Sequence, residues 1–196
     1  MNHEYYLIGS DGNPDAPLLN GSGRDSFKFK RIPVVITKPV RLVYNPPVPR
    51  KPRMIDYHSM PDSVVSRKIY NVLEPMNIKG IQLVPAVIKG KNDVIFEDYW
   101  IIHIYNRIDC MDRERSIYET DDDNEVHFIE KLYLDRKKLE EIPVEERLIF
   151  SLESHRSKRI YHKSVVEAIM SVNPEGVMFY PIEEWYDGIQ FEKFKS

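Results

Sequence analysis

The densest group of reactive side chains lies at residues 109–115, directly after a long apolar run. Asp109, Asp112 and Glu114 carry carboxylates that could act as general acids or bases, and Cys110 carries a potential nucleophile. No neighbour in the sequence would activate the thiol, and the spacing of the cluster specifies no reaction. We therefore predict that Cys110 is a buried core residue, while an enzyme that uses this cluster is kept as an alternative.

The patterns that could bind a metal ion or a cofactor are incomplete. Four carboxylates over residues 121–125 could ligate a hard cation, but the segment lacks the central glycine and the final glutamate of an EF-hand loop. The six histidines form no pair at i, i+4 spacing, and His103 lies in an apolar run typical of a hydrogen-bonded core residue. The sequence therefore predicts no catalytic residue, no metal site and no cofactor.

Charge is distributed unevenly along the 196 residues, although the formal net charge is only −3. Residues 1–53 contain nine lysines or arginines and four acidic residues, together with eight of the 14 prolines. Residues 109–146 contain six basic and 14 acidic residues. Basic and aromatic residues alternate at residues 27–30, which would suit a nucleic-acid-binding adaptor, but the net negative charge disfavours nucleic acid as a partner. We prefer an arm that folds back on the acidic segment.

The remaining composition is that of a globular protein in water. Hydrophobic residues make up 42% and charged residues 30% of the chain, and no apolar run approaches the roughly 20 residues of a membrane span. The first residues resemble no signal peptide, and the single cysteine cannot form an internal disulfide. We therefore expect a cytoplasmic protein that does not bind a membrane.

Apolar periodicity predicts two helices and a set of short strands. The first helix is expected over residues 61–75 with Ser59 as its N-cap, and the second over 163–172. The run at 94–108 is apolar on both faces and is expected to lie at the centre of a sheet. Acidic residues at 121–124 would form the tip of a hairpin. Further strands are predicted over 4–8, 33–36, 40–44, 80–88, 148–152, 159–161 and 176–182.

Two segments of the chain share one residue pattern. Each contains Tyr-His, then Ser-Val-Val, then a helix, and ends in glycine, four strand residues and proline. The glycines are Gly80 and Gly176, and each is expected to adopt a positive φ where the chain leaves the helix. The spacing from serine to glycine differs between the copies, so duplication and coincidence both stay open.

The residues that follow the central apolar run carry a family resemblance. An apolar strand leads into Asn106, Asp109 and Asp112, and these are followed by Ser116 and Tyr118. This pattern resembles a bacterial immunity-protein family, the eleventh such family of polymorphic-toxin systems and formerly a domain of unknown function.

The resemblance covers residues 54–185, and the later strands and helix follow in the matching order. One departure is His162, where the family more often has a serine-type cap before the last helix. Ser164 and Glu167 could supply a capping box there instead.

The resemblance implies an antitoxin that binds and neutralises a cognate toxin protein by stoichiometric contact, without chemistry of its own. A toxin that attacks nucleic acid is often basic, so the acidic segment over 109–146 is the expected interface. The oligomeric state stays open. The residues predicted to contact the toxin are Asp112, Glu114, Glu119, Asp121, Asp122, Asp123 and Glu125.

Together these observations predict an α+β fold. We expect a mainly antiparallel or mixed sheet, two principal helices and an extended Pro-rich N-terminal arm. Residues 1–53 would form this basic arm, packed on an immunity-protein-like α+β domain over residues 54–196.

Overall fold

A computed structural model of the protein describes residues 3–21 and 30–190. These residues form one five-stranded sheet, one six-stranded sheet, a separate two-stranded hairpin and three short α-helices. Both larger sheets are mixed, since each contains one parallel pair of strands among antiparallel ones. The α+β class, the mixed sheets and the two principal helices are confirmed. The basic and aromatic pattern at residues 27–30 lies almost entirely outside the described residues.

The six-stranded sheet is organised around a long antiparallel pair, in which Ile81 lies opposite Ile104 and Ile88 opposite Phe96. Ile101 packs into one apolar cluster, whereas Ile102 packs into another. Both faces of the strand that contains Ile101 and Ile102 are therefore covered, and the predicted place of the run at 94–108 inside a sheet is confirmed. In spatial order the strands are β2 (Leu19–Gly21), β3 (Val40–Tyr44), β6 (Ile81–Lys89), β7 (Ile95–Ile104), β5 (Val64–Ser66) and β4 (Tyr57–His58).

The first strand of the chain lies inside the five-stranded sheet. Tyr5 and Leu7 alternate with more exposed neighbours, and their side chains are buried in the core. Residues 5–10 form hydrogen bonds to a strand on each side, and so do residues 40–44 in the six-stranded sheet. The structure therefore does not support an extended arm over 1–53. In spatial order the strands are β13 (Val177–Pro181), β1 (Tyr5–Ser10), β12 (Arg159–His162), β11 (Ile149–Leu152) and β8 (Arg107–Ile108).

Each of the two larger sheets contains the same strand–helix–strand unit. Strand β5 leads through α1 (Arg67–Leu73) to β6, and β7 lies between the two strands, antiparallel to both. Strand β12 leads through α3 (Lys163–Met170) to β13, and β1 lies between them in the same way. Helices α1 and α3 share one apolar cluster, so the two units pack helix to helix.

The chain leaves both helices through the same backbone conformation. Asn77 has a φ of 44° and Gly80 a φ of 81°, and Asn173 and Gly176 have φ values of 47° and 88°. Asparagine and glycine are the residues that tolerate this left-handed region best. The predicted positive φ of both glycines is confirmed. The Ser-Val-Val match is not structural, because its first copy lies in and beside β5 and its second copy lies in α3.

The N-caps of the two helices differ from those predicted. Helix α1 begins after Ser66, whose hydroxyl accepts a hydrogen bond from the backbone N–H of Lys68 at 3.2 Å, because the preceding residues pair with β7 instead of extending the helix. Helix α3 is capped by His162 itself, whose Nδ1 accepts from the backbone N–H of Ser164 at 3.3 Å. Ser59 is therefore not a cap.

The predicted acidic hairpin is confirmed as strands β9 (Ile117–Thr120) and β10 (Val126–Lys131). A five-residue helix that the sequence did not predict, α2 (Arg136–Glu140), follows it and is capped by Asp135. Residues 33–36 do not form the predicted strand. Instead the side-chain amide of Gln82 exchanges two hydrogen bonds with the backbone of Val34, at 2.8 and 2.9 Å.

Gly176 gives a test of the repeated turn. A Cβ atom there would lie 2.4 Å from Cδ1 of Ile55 and 2.8 Å from the carbonyl oxygen of Tyr57, whereas Gly188 has a similar φ of 92° and open space around it. We expect Gly176→Ala to lower the free energy of unfolding by about 3 kcal/mol and Gly188→Ala by about 1 kcal/mol. Urea unfolding would measure both, and equal losses would contradict the steric argument.

His58 makes the fold sensitive to acid. Its Nδ1 donates a hydrogen bond to the carbonyl of Pro17 at 3.1 Å, and its Nε2 is buried with no partner among the described residues. Burial lowers the pKa of His58 from 6.5 to about 4, although the hydrogen bond to Pro17 opposes this shift. The folded protein therefore holds His58 neutral at a pH where the unfolded chain would protonate it.

The contribution of His58 to stability is complete above pH 6.5 and is lost as the pH falls towards 4. We expect His58→Asn, which keeps a donor for Pro17, to reduce the loss of unfolding free energy between pH 7 and pH 5 by about 2 kcal/mol. Urea unfolding at both values would measure this difference. The other histidines are the same in both proteins, so equal pH dependence would contradict the assignment.

Candidate functional site

The seven acidic residues predicted to contact a partner lie on the β9–β10 hairpin and on the loop that precedes it. Six of them are exposed to solvent, and Asp112 is half-buried. We call the set that comprises Asp112, Glu114, Glu119 and the acidic residues at 121–125 the acidic hairpin surface. Thr120 pairs with Val126 next to the tip and Ile117 pairs with Lys131 at the other end, so Asp112 and Glu114 precede the open end of the hairpin and the carboxylates at 121–125 form its tip.

Two of these carboxylates stabilise turns. Asp112 Oδ1 accepts hydrogen bonds from the backbone N–H groups of Glu114 and Arg115, both at 3.1 Å. Asp121 Oδ1 accepts from the backbone N–H groups of Asp123 at 3.1 Å and Glu125 at 2.9 Å. These bonds fix the loop and the hairpin tip, so Asp112 and Asp121 shape the surface as well as adding charge.

The other acidic residues leave more of their charge exposed. Glu119 lies 3.3 Å from Nε2 of His127 on the paired strand. Asp122 and Asp123 are exposed at the tip. Nearby cations lie over aromatic rings, with the guanidinium of Arg115 4.4 Å from the ring centre of Tyr133. The hairpin tip is thus the most acidic and most accessible part of this surface.

The cluster at 109–115 does not form a nucleophile site. Cys110 is completely buried, and burial, together with the charge of Asp109, raises the pKa of its thiol to about 12. The thiol is therefore protonated at neutral pH, and the predicted core role of Cys110 is confirmed. Asp109 is exposed and lies 3.6 Å from the ammonium of Lys138.

A groove of about 950 Å³ runs between the two larger sheets, close to the acidic hairpin surface. Tyr57, Ile102 and Ile104 line it from the six-stranded sheet, and Ser151 and Arg159 line it from the five-stranded sheet. Glu125 belongs both to the groove lining and to the hairpin. The sequence analysis missed this groove, because its walls come from segments distant in the chain and no local motif marks it.

A largely buried ion pair forms part of the groove wall and joins the two sheets. Arg159 on β12 donates hydrogen bonds to the carboxylate of Asp62 and, at 2.8 Å, to the hydroxyl of Ser63, which lies just before β5. The side chains of Arg159 and Asp62 are only 18% and 16% exposed. Burial opposes the charged form of Arg159, but Asp62 outweighs it and the pKa of Arg159 is raised.

His103 also lines the groove and confirms its predicted core role. Its side chain is buried, and its Nε2 lies 3.1 Å from the carbonyl oxygen of Ile32. Across residues 3–21 and 30–190, no three histidine, cysteine, aspartate or glutamate side chains converge as a metal site. None of the helices in the same residues has the length and apolar character needed to cross a membrane.

Comparison with known proteins identifies the family. The model of the Immunity protein family (Imm11) matches residues 5–184. Since this match covers nearly the whole chain, the protein belongs to the Imm11 immunity protein family. The match begins at β1, well before residue 54 where the motif resemblance began, in agreement with the place of β1 inside a sheet. None of the curated proteins compared with the chain matches it.

The Arg159–Asp62 pair gives a stability prediction. Replacing Arg159 with methionine leaves the buried carboxylate of Asp62 without its cation, so we expect the free energy of unfolding to fall by about 3 kcal/mol. The exposed pair Arg53–Glu175, whose side chains are 61% and 49% exposed, supplies a matched control. Arg53→Met should cost less than about 1 kcal/mol. Urea unfolding of both variants would measure the difference, and equal costs would contradict a dominant role for the buried pair.

Proposed function

We propose that this protein is an antitoxin that binds a cognate bacterial toxin domain and neutralises it by stoichiometric contact. Membership of the Imm11 family over residues 5–184 is the observation that carries the proposal. The protein would act in the cytoplasm, where a toxin that enters or is made in the cell must be intercepted. It would block its target by occupying a surface, and it would need no catalytic residue.

The acidic hairpin surface is the proposed interface. Its carboxylates at 121–125 lie at an exposed tip supported by backbone hydrogen bonds to Asp121, so the charge is held in a defined shape. Many enzymes that attack nucleic acids bind phosphates through basic residues, and carboxylates can occupy such positions in place of phosphates. The tip would therefore enter or cover a basic active site on the toxin.

A co-expression experiment tests the neutralising function. The toxin encoded beside this protein would be expressed alone and together with it, and growth would be compared. We expect the antitoxin to restore growth and to copurify with the toxin in a fixed ratio. Growth arrest despite a folded and expressed antitoxin would contradict the function, whichever surface binds the toxin.

Charge reversal at the hairpin tip tests the interface separately. We expect Asp122→Lys/Asp123→Lys to slow association with the toxin by about tenfold at low salt and to reduce the dependence of the rate on salt, because electrostatic attraction chiefly accelerates encounter. Stopped-flow or surface-binding kinetics would measure the rate. Asp121 is left unchanged because its carboxylate supports the turn.

The matched control is Glu74→Lys/Glu97→Lys, which makes the same change in net charge at exposed positions outside the acidic segment. This variant should change the association rate by less than the tip variant does. Circular dichroism would verify that both variants are folded. Equal rates for the two variants would contradict the assignment of the interface to the hairpin, although the neutralising function could still hold.

A further inference from the structure

The hairpin formed by β9 and β10 is covered along one of its edges only. Beyond β10, Tyr186 pairs with Lys131, and the backbone N–H of Asp187 donates a hydrogen bond to the carbonyl of Glu130 at 2.8 Å. Beyond β9, no strand of the described residues is hydrogen-bonded, because this sheet consists of β9 and β10. Such an edge presents N–H and C=O groups to which a further strand can bond.

The turn at the end of β9 determines which backbone groups face outward. The N–H of Asp121 donates a hydrogen bond to the carbonyl of Glu125 at 3.0 Å, so it points towards the paired strand. Backbone groups alternate in direction along a strand, and the extra residue at each register shift lies on β10, so the alternation of β9 is kept. Thr120 and Tyr118 therefore direct their N–H and C=O groups away from β10.

The edges of the two larger sheets are less suited to an added strand. β4 and β8 contain two residues each, β2 contains three, and β13 ends in Pro181. Short edge strands and proline are features that limit pairing from edge to edge. β9 contains four residues, none of them proline, and three of the four are exposed. Its outer edge is therefore better suited to a further strand than these four edges are.

The side chains of β9 define what an added strand should carry. Tyr118 packs against the apolar cluster that contains Phe150, so it faces the body of the protein. Ile117 and Glu119 lie on the opposite face of the strand, where their side chains are 54% and 69% exposed. An added strand with one apolar and one basic residue, two positions apart, would place a matching side chain beside each of them.

Charge favours a basic strand over a second copy of this chain. Residues 112–125 contain seven carboxylates and two arginines. Two copies of β9 related by a two-fold axis at Glu119 would place the two Glu119 side chains opposite one another, and like charges in that position destabilise a sheet. An axis at Tyr118 would place Glu119 opposite Ile117, without a counter-charge. A lysine or arginine beside Glu119 would supply the missing positive charge.

We propose that the outer edge of β9 binds an extended segment of the toxin as an added strand, with a basic residue beside Glu119 and an apolar residue beside Ile117. This inference rests on the antitoxin function proposed above, and it adds a mode of binding to that function. Backbone hydrogen bonds from Tyr118 and Thr120 would hold the segment in one register, while the carboxylates at 121–125 would attract it.

A synthetic strand tests this edge without the toxin. The probe is the peptide acetyl-Thr-Lys-Thr-Val-Thr-Lys-Thr-amide, which offers lysine and valine two positions apart in either chain direction. At millimolar concentration it should slow amide hydrogen exchange at Tyr118 and Thr120 by at least about fivefold, measured by NMR on the full protein. Glu119 should change little, because its N–H already faces β10. Contact through side-chain charge alone would not protect these two amides selectively.

The matched control probe is the same peptide with an N-methyl group on every residue. It keeps both lysine charges but has no backbone N–H to donate to an edge strand. We therefore expect it to leave the exchange of Tyr118 and Thr120 unchanged. Equal protection by the two probes would show that the contact does not depend on strand pairing.

Two variants separate the backbone contact from the charge. Thr120→Pro removes an outward N–H, and we expect it to weaken probe binding by at least about fivefold. Glu119→Lys leaves the backbone intact and should weaken binding by about fivefold, so it keeps the test valid if proline disrupts the hairpin. Glu97→Lys makes the same charge change at an exposed position on β7 and should change binding by less than about twofold.

Three results would overturn the proposal: unchanged exchange at Tyr118 and Thr120, equal protection by both probes, or equal effects of Glu119→Lys and Glu97→Lys. Dimerisation of the protein that Thr120→Pro abolishes would also overturn it, because a second copy would then occupy the edge. None of these results alters rescue of growth by co-expression. Failure of the edge is therefore distinguishable from failure of the antitoxin function.

Discussion

The contact between Arg159 and Asp62 is one of the directional contacts that fix the arrangement of the two sheets, together with the backbone hydrogen bond that Tyr57 donates to Glu175. The ion pair connects β12 of one sheet to the residues that lead into β5 of the other, at the wall of the groove. Apolar packing between α1 and α3 would hold the two sheets together over a range of small displacements, because hydrophobic contact is non-directional. A hydrogen-bonded ion pair has a fixed geometry, so it restricts the relative positions that the two sheets can adopt, as the backbone hydrogen bond from Tyr57 to Glu175 also does.

The groove between the sheets adjoins the acidic hairpin surface. Glu125 lies at the end of the hairpin tip and in the lining of the groove, so the acidic tip borders the groove at this residue. The small net charge of the chain arises from separate regions of opposite sign, not from an evenly mixed surface.

Local patterns in the sequence were sufficient for the hairpin, the central strand β7 and the left-handed glycines, because each depends on neighbouring residues. They failed at α1, where Ser59 and Ser66 are both plausible caps and the pairing of residues 64–66 with β7 decides between them. They predicted the strand at residues 4–8, which is β1, but they assigned it to an extended arm because the composition of residues 1–53 carries no information about its distant partner strands. The groove could not be predicted, since its arginines become neighbours only in the folded chain.

The place of β1 imposes an order of events on synthesis of the protein. β1 leaves the ribosome long before its partner strands, which lie at residues 159–162 and 177–181. At elongation rates of roughly 5–20 residues per second, the nascent strand waits on the order of ten seconds before either partner strand is made. All strands of the six-stranded sheet lie at or before residue 104, so their pairing can form during that wait, whereas the apolar cluster that covers one face of the sheet is completed only by residues 149–177.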